Sequence, residues 1–483
     1  MTLVIGVDSS TQSTKVEARR IDTGEVVGTA HAPHPPTDPP VSEQDPVSWW
    51  QALAAALADL GTRSTVALTE VEAISVAGQQ HGLVLLDEAG DPVRPAKLWN
   101  DTTSSPDADR LVAALGADAW AASTGSVPVA SFTVSKLAWV VAHEPDLLPR
   151  VAKVLLPHDY LTWRLTGAHV TDRGDASGTG WFDPTGGMYL PAMLDAAGVA
   201  GDEWIGRLPR VLGPSEPAGT VTAAAADALG LPAGALVGAG TGDNMGAALG
   251  LGLRAGDVAL SLGTSGTVFA VCASGSHDTT GAVAGFASAT GDFLPLVCTL
   301  NATKVTDHVA AWLGTDAPGL AALALTAADD PGTVVCVPYF DGERTPNRPD
   351  ATGALHGLTS ATTRAQLALA AHDGVLCGLL DGLDALRAVA PRLDGRTFLV
   401  GGGSRSVAYR QRLADLLHAP IVVPHTDETV ATGAAVQAAA VVTGEPMHAI
   451  ADRWSLGAGT ATEPGRDASA RRTAYAAVRD LDG

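Results

Sequence analysis

Short apolar runs, each closed by a turn of small residues, set the pattern of this chain. LVIGVD at residues 3–8 is a β-rich run ending in an acid. DSSTQST follows as a polar turn, and KVEARRID alternates apolar and polar positions as a half-buried strand does. Residues 258–271, VALSLGTSGTVFAV, repeat the plan with a Gly-Thr-Ser-Gly turn. Two copies, each opening one half of the chain, predict an internal duplication. Such turns aim backbone N–H groups and hydroxyls at one point, as anion-binding turns do, and a structural hairpin has the same pattern.

Between the copies, Asp45 and Pro46 make an N-cap and first helical position, predicting a helix over 46–60 that Trp49 and Trp50 pack down. VEAISVAG (71–78) reads as a strand delivering Gln79, Gln80 and His81. Residues 83–99 read as a hairpin turning at 87–90 and delivering Trp99, Asn100 and Asp101. Hydrogen-bonding side chains at strand ends suit a hydroxyl-rich ligand, because a site built to pair each OH rejects analogues lacking it. Further helices are expected over 134–143, 158–165, 363–389, from 407 and over 431–442, with strands at 153–157, 235–237, 333–338 and before Gly401. Residues 171–182 read as a loop, and the chain after Met447 as peripheral.

Length and charge narrow the classes. At 483 residues the chain exceeds one core, and 46% hydrophobic residues exclude general disorder. A net charge of −22, from 52 acids against 30 bases, repels a phosphate backbone, so no nucleic-acid partner is expected. The opening MTLVIGVDSS lacks a charged leader and no window of continuous apolar residues is long enough to span a bilayer, so a cytoplasmic protein with no membrane partner is expected. Four scattered cysteines with no C-x-x-C read as buried free thiols.

The chemistry is placed at VGAGTGDNMGAAL (237–249), where four glycines surround Asp243. Glycine permits close backbone approach, so a carboxylate on this turn reaches a ligand lying on the main chain. The plainer alternative is an Asp that caps the next helix. RTFLVGGGSRS adds a strand, three glycines and a helix, an arrangement suited to a nucleotide lying against the backbone, although G-x-G-x-x-G is not matched.

These stretches, with GVDSSTQSTK, SEQDPVSWW, GQQHG, LWND, KVLLPHDYL, GTGDN, SLGTSG, GERTP and GGGSRS in this order, resemble the FGGY carbohydrate kinase family over nearly the whole chain. SEQDP, GQQHG and LWND resemble its xylulose-phosphorylating branch. The resemblance implies an α/β fold of two actin-like (ribonuclease H-like) domains in tandem with a central cleft. Residues 1–253 would hold the sugar and 254–483 would hold ATP. It implies ATP-dependent phosphorylation of D-xylulose to D-xylulose 5-phosphate, with ATP and Mg²⁺ as cofactors and a homodimer as the assembly. Asp243 would be the general base. Asp8 would sit beside the phosphates and Mg²⁺, with Thr11 in the first phosphate turn and Gly263, Thr264, Ser265 and Gly266 in the second. Gly402 and Gly403 would lie at adenosine, and Gln80, His81, Asp243 and Asn244 at the sugar. The chain departs from the family at Ser10, where glycine is common, and at Gln80, where methionine is common. Another ketose, a polyol or a sugar acid is the alternative substrate. An actin-like ATPase or a non-catalytic sugar-binding regulator is the alternative class.

Overall fold

In the first sheet, β1 (Leu3–Ser9) is buried along its whole length, which is why its sequence shows no alternation. The computed structural model describes residues 2–63, 66–390 and 392–481. They fall into two units, each discontinuous in sequence. One comprises Met1–Leu253, Ala273–Leu294 and Thr426–Gly457; the other comprises Arg254–Cys272, Pro295–His425 and Ala458–Gly483. The expected division after residue 253 is therefore one of several crossings, because two segments from the second half fold into the first unit.

In the first unit β1 pairs antiparallel with β2 (Ser13–Arg20), which pairs with β3 (Val26–Pro33). β4 (Val71–Gly78) runs parallel beside β1, followed by β5 (Gly219–Thr220), β6 (Leu236–Val237) and β7 (Thr241–Gly242). The sheet order is β5-β6-β4-β1-β2-β3, with β7 also on β4. The Pro46–Arg63 helix begins where expected, and Asp45 Oδ1 accepts from Val47 N–H at 2.9 Å. Its residues Trp49, Leu53, Leu57 and Leu60 repeat at helical spacing and are fully buried.

The Thr429–Thr443 helix packs on β1, β4 and the Asp243–Gly250 helix. Its small residues are required by the close approach of backbones. A Cβ on Gly250 would lie 1.9 Å from the carbonyl oxygen of Thr429, and one on Gly6 1.9 Å from that of Ala431.

The second unit repeats the meander. β8 (Val258–Leu262), β9 (Gly266–Ala270) and β10 (Phe293–Thr299) are successive antiparallel neighbours. β11 (Thr397–Val400) runs parallel to β8 as β4 does to β1, and β12 (Ile421–Pro424) and β13 (Gly459–Thr462) follow. The long helix is Arg364–Val389, started by a capping box in which Thr363 Oγ1 accepts from Gln366 N–H and Gln366 Oε1 accepts from Thr363 N–H.

Several local expectations are corrected. Residues 83–99 turn at 87–90 as expected, with Asp87 N–H on Asp91 O, Val93 N–H on Leu85 O and Leu83 N–H on Lys97 O, but the hairpin is irregular and both arms also pair elsewhere. Their arms meet at the Leu83–Lys97 and Leu86–Pro92 bridges, while Val84–Leu86 pairs with Lys153–Leu155 and Ala96–Lys97 with Glu43–Gln44. Pro92 and Pro95 lack the N–H a longer ladder needs. Residues 171–182 are not a simple loop. Asp172 accepts from the N–H groups of Gly174 and Asp175 and so starts the short helix Arg173–Ala176. The chain after Met447 is anchored by two aromatics: Trp454 Nε1 donates to the carbonyl of Ile21 at 3.0 Å, and Tyr475, 1% exposed, donates to Tyr339 Oη at 3.3 Å. Cys272, Cys336 and Cys377 are buried as expected, while Cys298 is partly exposed.

Candidate active site

Register in the first sheet brings three strand ends together. Asp8 lies opposite Lys15 on β2 and beside Ala77 on β4, and Gly242 of β7 lies beside Gly78 of β4. At these ends stand Asp8 and Ser9 of β1, and just beyond them Gln79, Gln80 and His81 after β4 and Asp243 and Asn244 after β7. Carboxyl ends of parallel strands are the usual place for ligands in α/β sheets, because the diverging loops leave a crevice there.

Asp243 is the first residue of its helix, with Gly242 at the N-cap. It therefore does not cap the helix in the ordinary way. Its Oδ1 accepts from the backbone N–H of Asn244 at 2.8 Å and from Asn244 Nδ2 at 3.0 Å. The surrounding atoms push its pKa from 3.8 up to about 7, first through burial and then through the negative charge of Asp8, against the pull of the Asn244 hydrogen bonds. Asp8, 4% exposed, accepts from Ser10 Oγ at 2.6 Å. Burial raises it to about 6, opposed by the Ser10 hydrogen bond and the Lys15 charge and reinforced by Glu428.

Thr11 is braced from two sides: Trp99 Nε1 donates to its Oγ1 at 2.9 Å, and that hydroxyl donates to Gln79 Oε1 at 3.2 Å. Trp99, 43% exposed, and Asn100 line a cavity of about 580 Å³ with Ser10, Thr11, Lys15 and His34. Asp101 serves the scaffold instead. It is fully buried and accepts from Lys97 Nζ at 3.0 Å and from the N–H of Ser42 at 2.9 Å.

Gln80 Oε1 accepts from Asn244 Nδ2 at 2.8 Å. His81 sits at φ +66°, a left-handed conformation that side-chain residues rarely adopt. Its Nδ1 donates to the carbonyl of Gly178 at 2.8 Å, and its ring stacks on Phe132 at 5.0 Å and lies 5.4 Å from Phe286. Gly178 has no room for a side chain, since a Cβ would stand 2.5 Å from the His81 ring.

The structure also shows polar residues that the sequence reading missed. His158 Nε2 lies 3.1 Å from Asp159, 3.4 Å from Asp172 and 3.4 Å from Asp175, and all four side chains are buried. Asp172 also accepts from Thr241 Oγ1 at 2.9 Å, two residues before Asp243. The acids of TDRGD gave a local signal, but nothing in their spacing linked them to residue 158. Phe286 belongs to the 273–294 segment, so its place beside His81 was not legible from neighbouring residues.

In the second unit the turn between β8 and β9 carries the four expected residues. Gly263 N–H donates to Ser265 O at 3.0 Å, much as Ser10 N–H donates to Ser13 O at 3.0 Å in the first turn. The N–H groups of Ala302 and Thr303 take up the carbonyls of Thr264 and Gly263, and Thr264 and Ser265 remain exposed. After β11, Gly401 at φ +82° turns the chain, Gly402 has open space where a Cβ would lie, and Gly403 is buried against Leu262. Gly402 is thus open to a ligand, whereas Gly403 is glycine because β8 is too close for more.

Residues 3–250 match the N-terminal domain of the FGGY family of carbohydrate kinases, and residues 258–442 match its C-terminal domain. The chain belongs to the FGGY family of carbohydrate kinases. It is 50% identical over 461 residues to the xylulose kinase of Streptomyces coelicolor, covering 95% of this chain and 92% of that protein. The xylulose kinase of Streptomyces rubiginosus is 49% identical over 465 residues, covering 95% and 92%. The crystal structure of xylulose kinase from Bifidobacterium adolescentis matches with a TM-score of 0.87 at 40% identity, covering 99% of each chain. Among the described residues no single helix is long and apolar enough to cross a membrane.

Proposed function

We propose that this chain phosphorylates D-xylulose at the expense of ATP, giving D-xylulose 5-phosphate, with Asp243 as the general base. The observation that carries the chemistry is the Asp243 carboxylate itself: partly exposed, held through one oxygen by Asn244, and raised to about 7, where a base both ionises and accepts a proton readily near neutral pH. The preference for xylulose rests on the two Streptomyces relatives at 50% and 49% identity.

In this reading Asp243 takes the proton of the attacking hydroxyl, and Gln80, His81 and Asn244 orient the sugar. Thr11 in the first unit and the 263–266 turn and Gly402 in the second supply polar groups for the nucleotide, with Gly403 letting that loop pack. Phosphoryl transfer needs mainly alignment and charge neutralisation. A divalent cation fits the donor set. Asp8 and Asp243 are close enough for Asp8 to raise Asp243, and among the described residues no group of three or more His, Cys, Asp or Glu forms a closed protein cage. Mg²⁺ is commonly held by one or two carboxylates together with substrate phosphates, and Asp8 is the residue to hold it here. Such an ion would neutralise charge on the phosphates. A homodimer in the cytoplasm completes the reading, with light scattering after size exclusion as the check on assembly.

The test is ADP release from Mg-ATP with D-xylulose, D-ribulose, L-ribulose, L-xylulose, glycerol and gluconate beside a no-sugar control. A response confined to D-xylulose is expected. Stimulation by another member alone refutes the substrate, and a steady rate indifferent to sugar refutes the kinase reading.

A further inference from the structure

The chain that delivers Asp243 breaks its ladder just before that residue. Val237 of β6 lies beside Ile74 of β4, and Thr241 of β7 lies beside Ala77. Gly238, Ala239 and Gly240 therefore span the two positions that Ser75 and Val76 hold on β4, one residue more than the neighbouring strand. Such a bulge re-aims the side chains that follow it. Gly238 keeps a sheet bond, its N–H donating to Ile74 O at 2.9 Å. Gly240 turns away at φ +81°, and a Cβ there would stand 2.4 Å from His158 Nδ1. Gly240 is buried, so its peptide groups must find partners within the protein.

Gln437 supplies both. Its Oε1 accepts from Gly240 N–H at 3.0 Å and its Nε2 donates to Gly240 O at 3.0 Å, so one side-chain amide pairs with this residue as a neighbouring strand would. Ser75 Oγ also donates to Oε1. Turned over, the amide would set its NH2 against the Gly240 N–H and its oxygen against the Gly240 carbonyl, which fixes its orientation. Gln437 is 1% exposed on the Thr429–Thr443 helix, whose other buried residues are Ala, Gly, Val and Thr. An amide is costly to bury unless its polar atoms are paired, and here the pairing goes to the backbone leading into Asp243. Gly238 leaves room for it, since a Cβ would stand 2.6 Å from Ser75 Oγ and 3.4 Å from Gln437 Oε1.

We infer that Gln437 is a positioning residue for the base, its amide standing in for the missing strand partner of Gly240 and so fixing the direction in which residues 241–243 leave the bulge. This rests on the proposed reading with Asp243 as base. Gln80 and His81 leave from β4 instead, so binding of the sugar depends less on this clamp than the chemical step does.

The experiment measures kcat for ADP release, and the dissociation constant of D-xylulose by calorimetry, in the wild type, Gln437→Met, Gln437→Ala, Asp243→Asn and the double variant Gln437→Ala with Asp243→Asn. Each is assayed well below its melting temperature. Met preserves the length of the side chain and removes both partners of Gly240. Ala leaves space for water to reach the Gly240 groups, which provides a folded chain without the clamp. Both substitutions are expected to lower kcat roughly tenfold to a hundredfold, the scale of a slightly misplaced reacting group. The sugar dissociation constant should change by less than about threefold, because an oriented base acts on kcat and not on ground-state binding. In the Asp243→Asn background, Gln437→Ala should change the residual kcat by less than about twofold, since no base is left to position. A Gln437→Ala rate within about twofold of wild type, whatever its melting temperature, overturns the inference and leaves a packing role. An undiminished effect in the Asp243→Asn background overturns the route through Asp243. A wild-type rate in Asp243→Asn alone is a different result: it is the failure of the base assignment, and the inference falls with it.

Discussion

The pKa of Asp243 makes a quantitative prediction about rate and pH. An ordinary aspartate is fully ionised from pH 6 to 8, so a base of that kind leaves the rate flat across this window. With its pKa raised from 3.8 to about 7, Asp243 behaves differently. About one molecule in eleven is ionised at pH 6 and about ten in eleven at pH 8, so kcat/KM for D-xylulose should rise about tenfold between them. The assay is coupled ADP release at subsaturating sugar, where kcat/KM reports the pKa values of the enzyme form that meets the sugar. Asp243→Asn should lower kcat by about 10² to 10⁴ and abolish the limb, while Asp243→Ala should abolish turnover and leave sugar binding measurable by calorimetry. Burial is the larger cause of the rise and Asp8 the second. In Asp8→Asn, therefore, the limb of the remaining activity should move to lower pH. A wild-type limb centred near pH 4, or a limb that survives in Asp243→Asn, would refute the assignment of the base.

Two further predictions concern the scaffold. Gly250→Ala places a Cβ 1.9 Å from the Thr429 carbonyl, so the Asp243–Gly250 and Thr429–Thr443 helices must separate; a loss of about 1–3 kcal/mol or more is expected in urea denaturation, and an unchanged midpoint would contradict the packing. Burial pulls the His158 pKa down, but Asp159, Asp172 and Asp175 outweigh it and raise the group from 6.5 to about 9. A folded pKa above the unfolded value gives stability present in full below about pH 6.5 and lost as pH climbs through about 9. The Tm deficit of His158→Gln should accordingly be larger at pH 6 than at pH 9.5, and a deficit independent of pH would show that His158 acts by packing alone.

The local elements were legible where one segment determines them. The apolar run of Val71–Gly78, the Asp45–Pro46 helix start and the long helix over 363–389 are all decided within a local segment, and the structure has them close to where the pattern put them. Pairing over distance was not legible in this way. Val84–Leu86 meets the arm after its own turn, as its neighbours predict, but its second partner, Lys153–Leu155, lies far along the chain and nothing local announces it. The same limit hid Phe286 from His81 and His158 from Asp172 and Asp175, since aromatic and acidic residues are compatible with many positions until the fold brings them together.

The duplication explains why topology alone does not locate the base. β1–β4 and β8–β11 share a meander and a parallel neighbour, and both first turns close on a backbone hydrogen bond of 3.0 Å. Their strand ends differ. Asp8 faces Lys15 in the first copy, whereas Ser261, which likewise lies two residues before its turn's N–H donor, faces Thr267 in the second. A buried carboxylate is costly unless paired or protonated; burial, with Glu428 adding to it, raises Asp8 to about 6, and burial together with the Asp8 charge raises Asp243 to about 7. Ser261 carries no charge, and Leu262 beside it packs against Gly403, so this turn offers backbone and hydroxyl groups. One plan of strands thus presents a buried carboxylate, Asp8, near the end of the first strand in one unit and the neutral Ser261 at the matching position in the other.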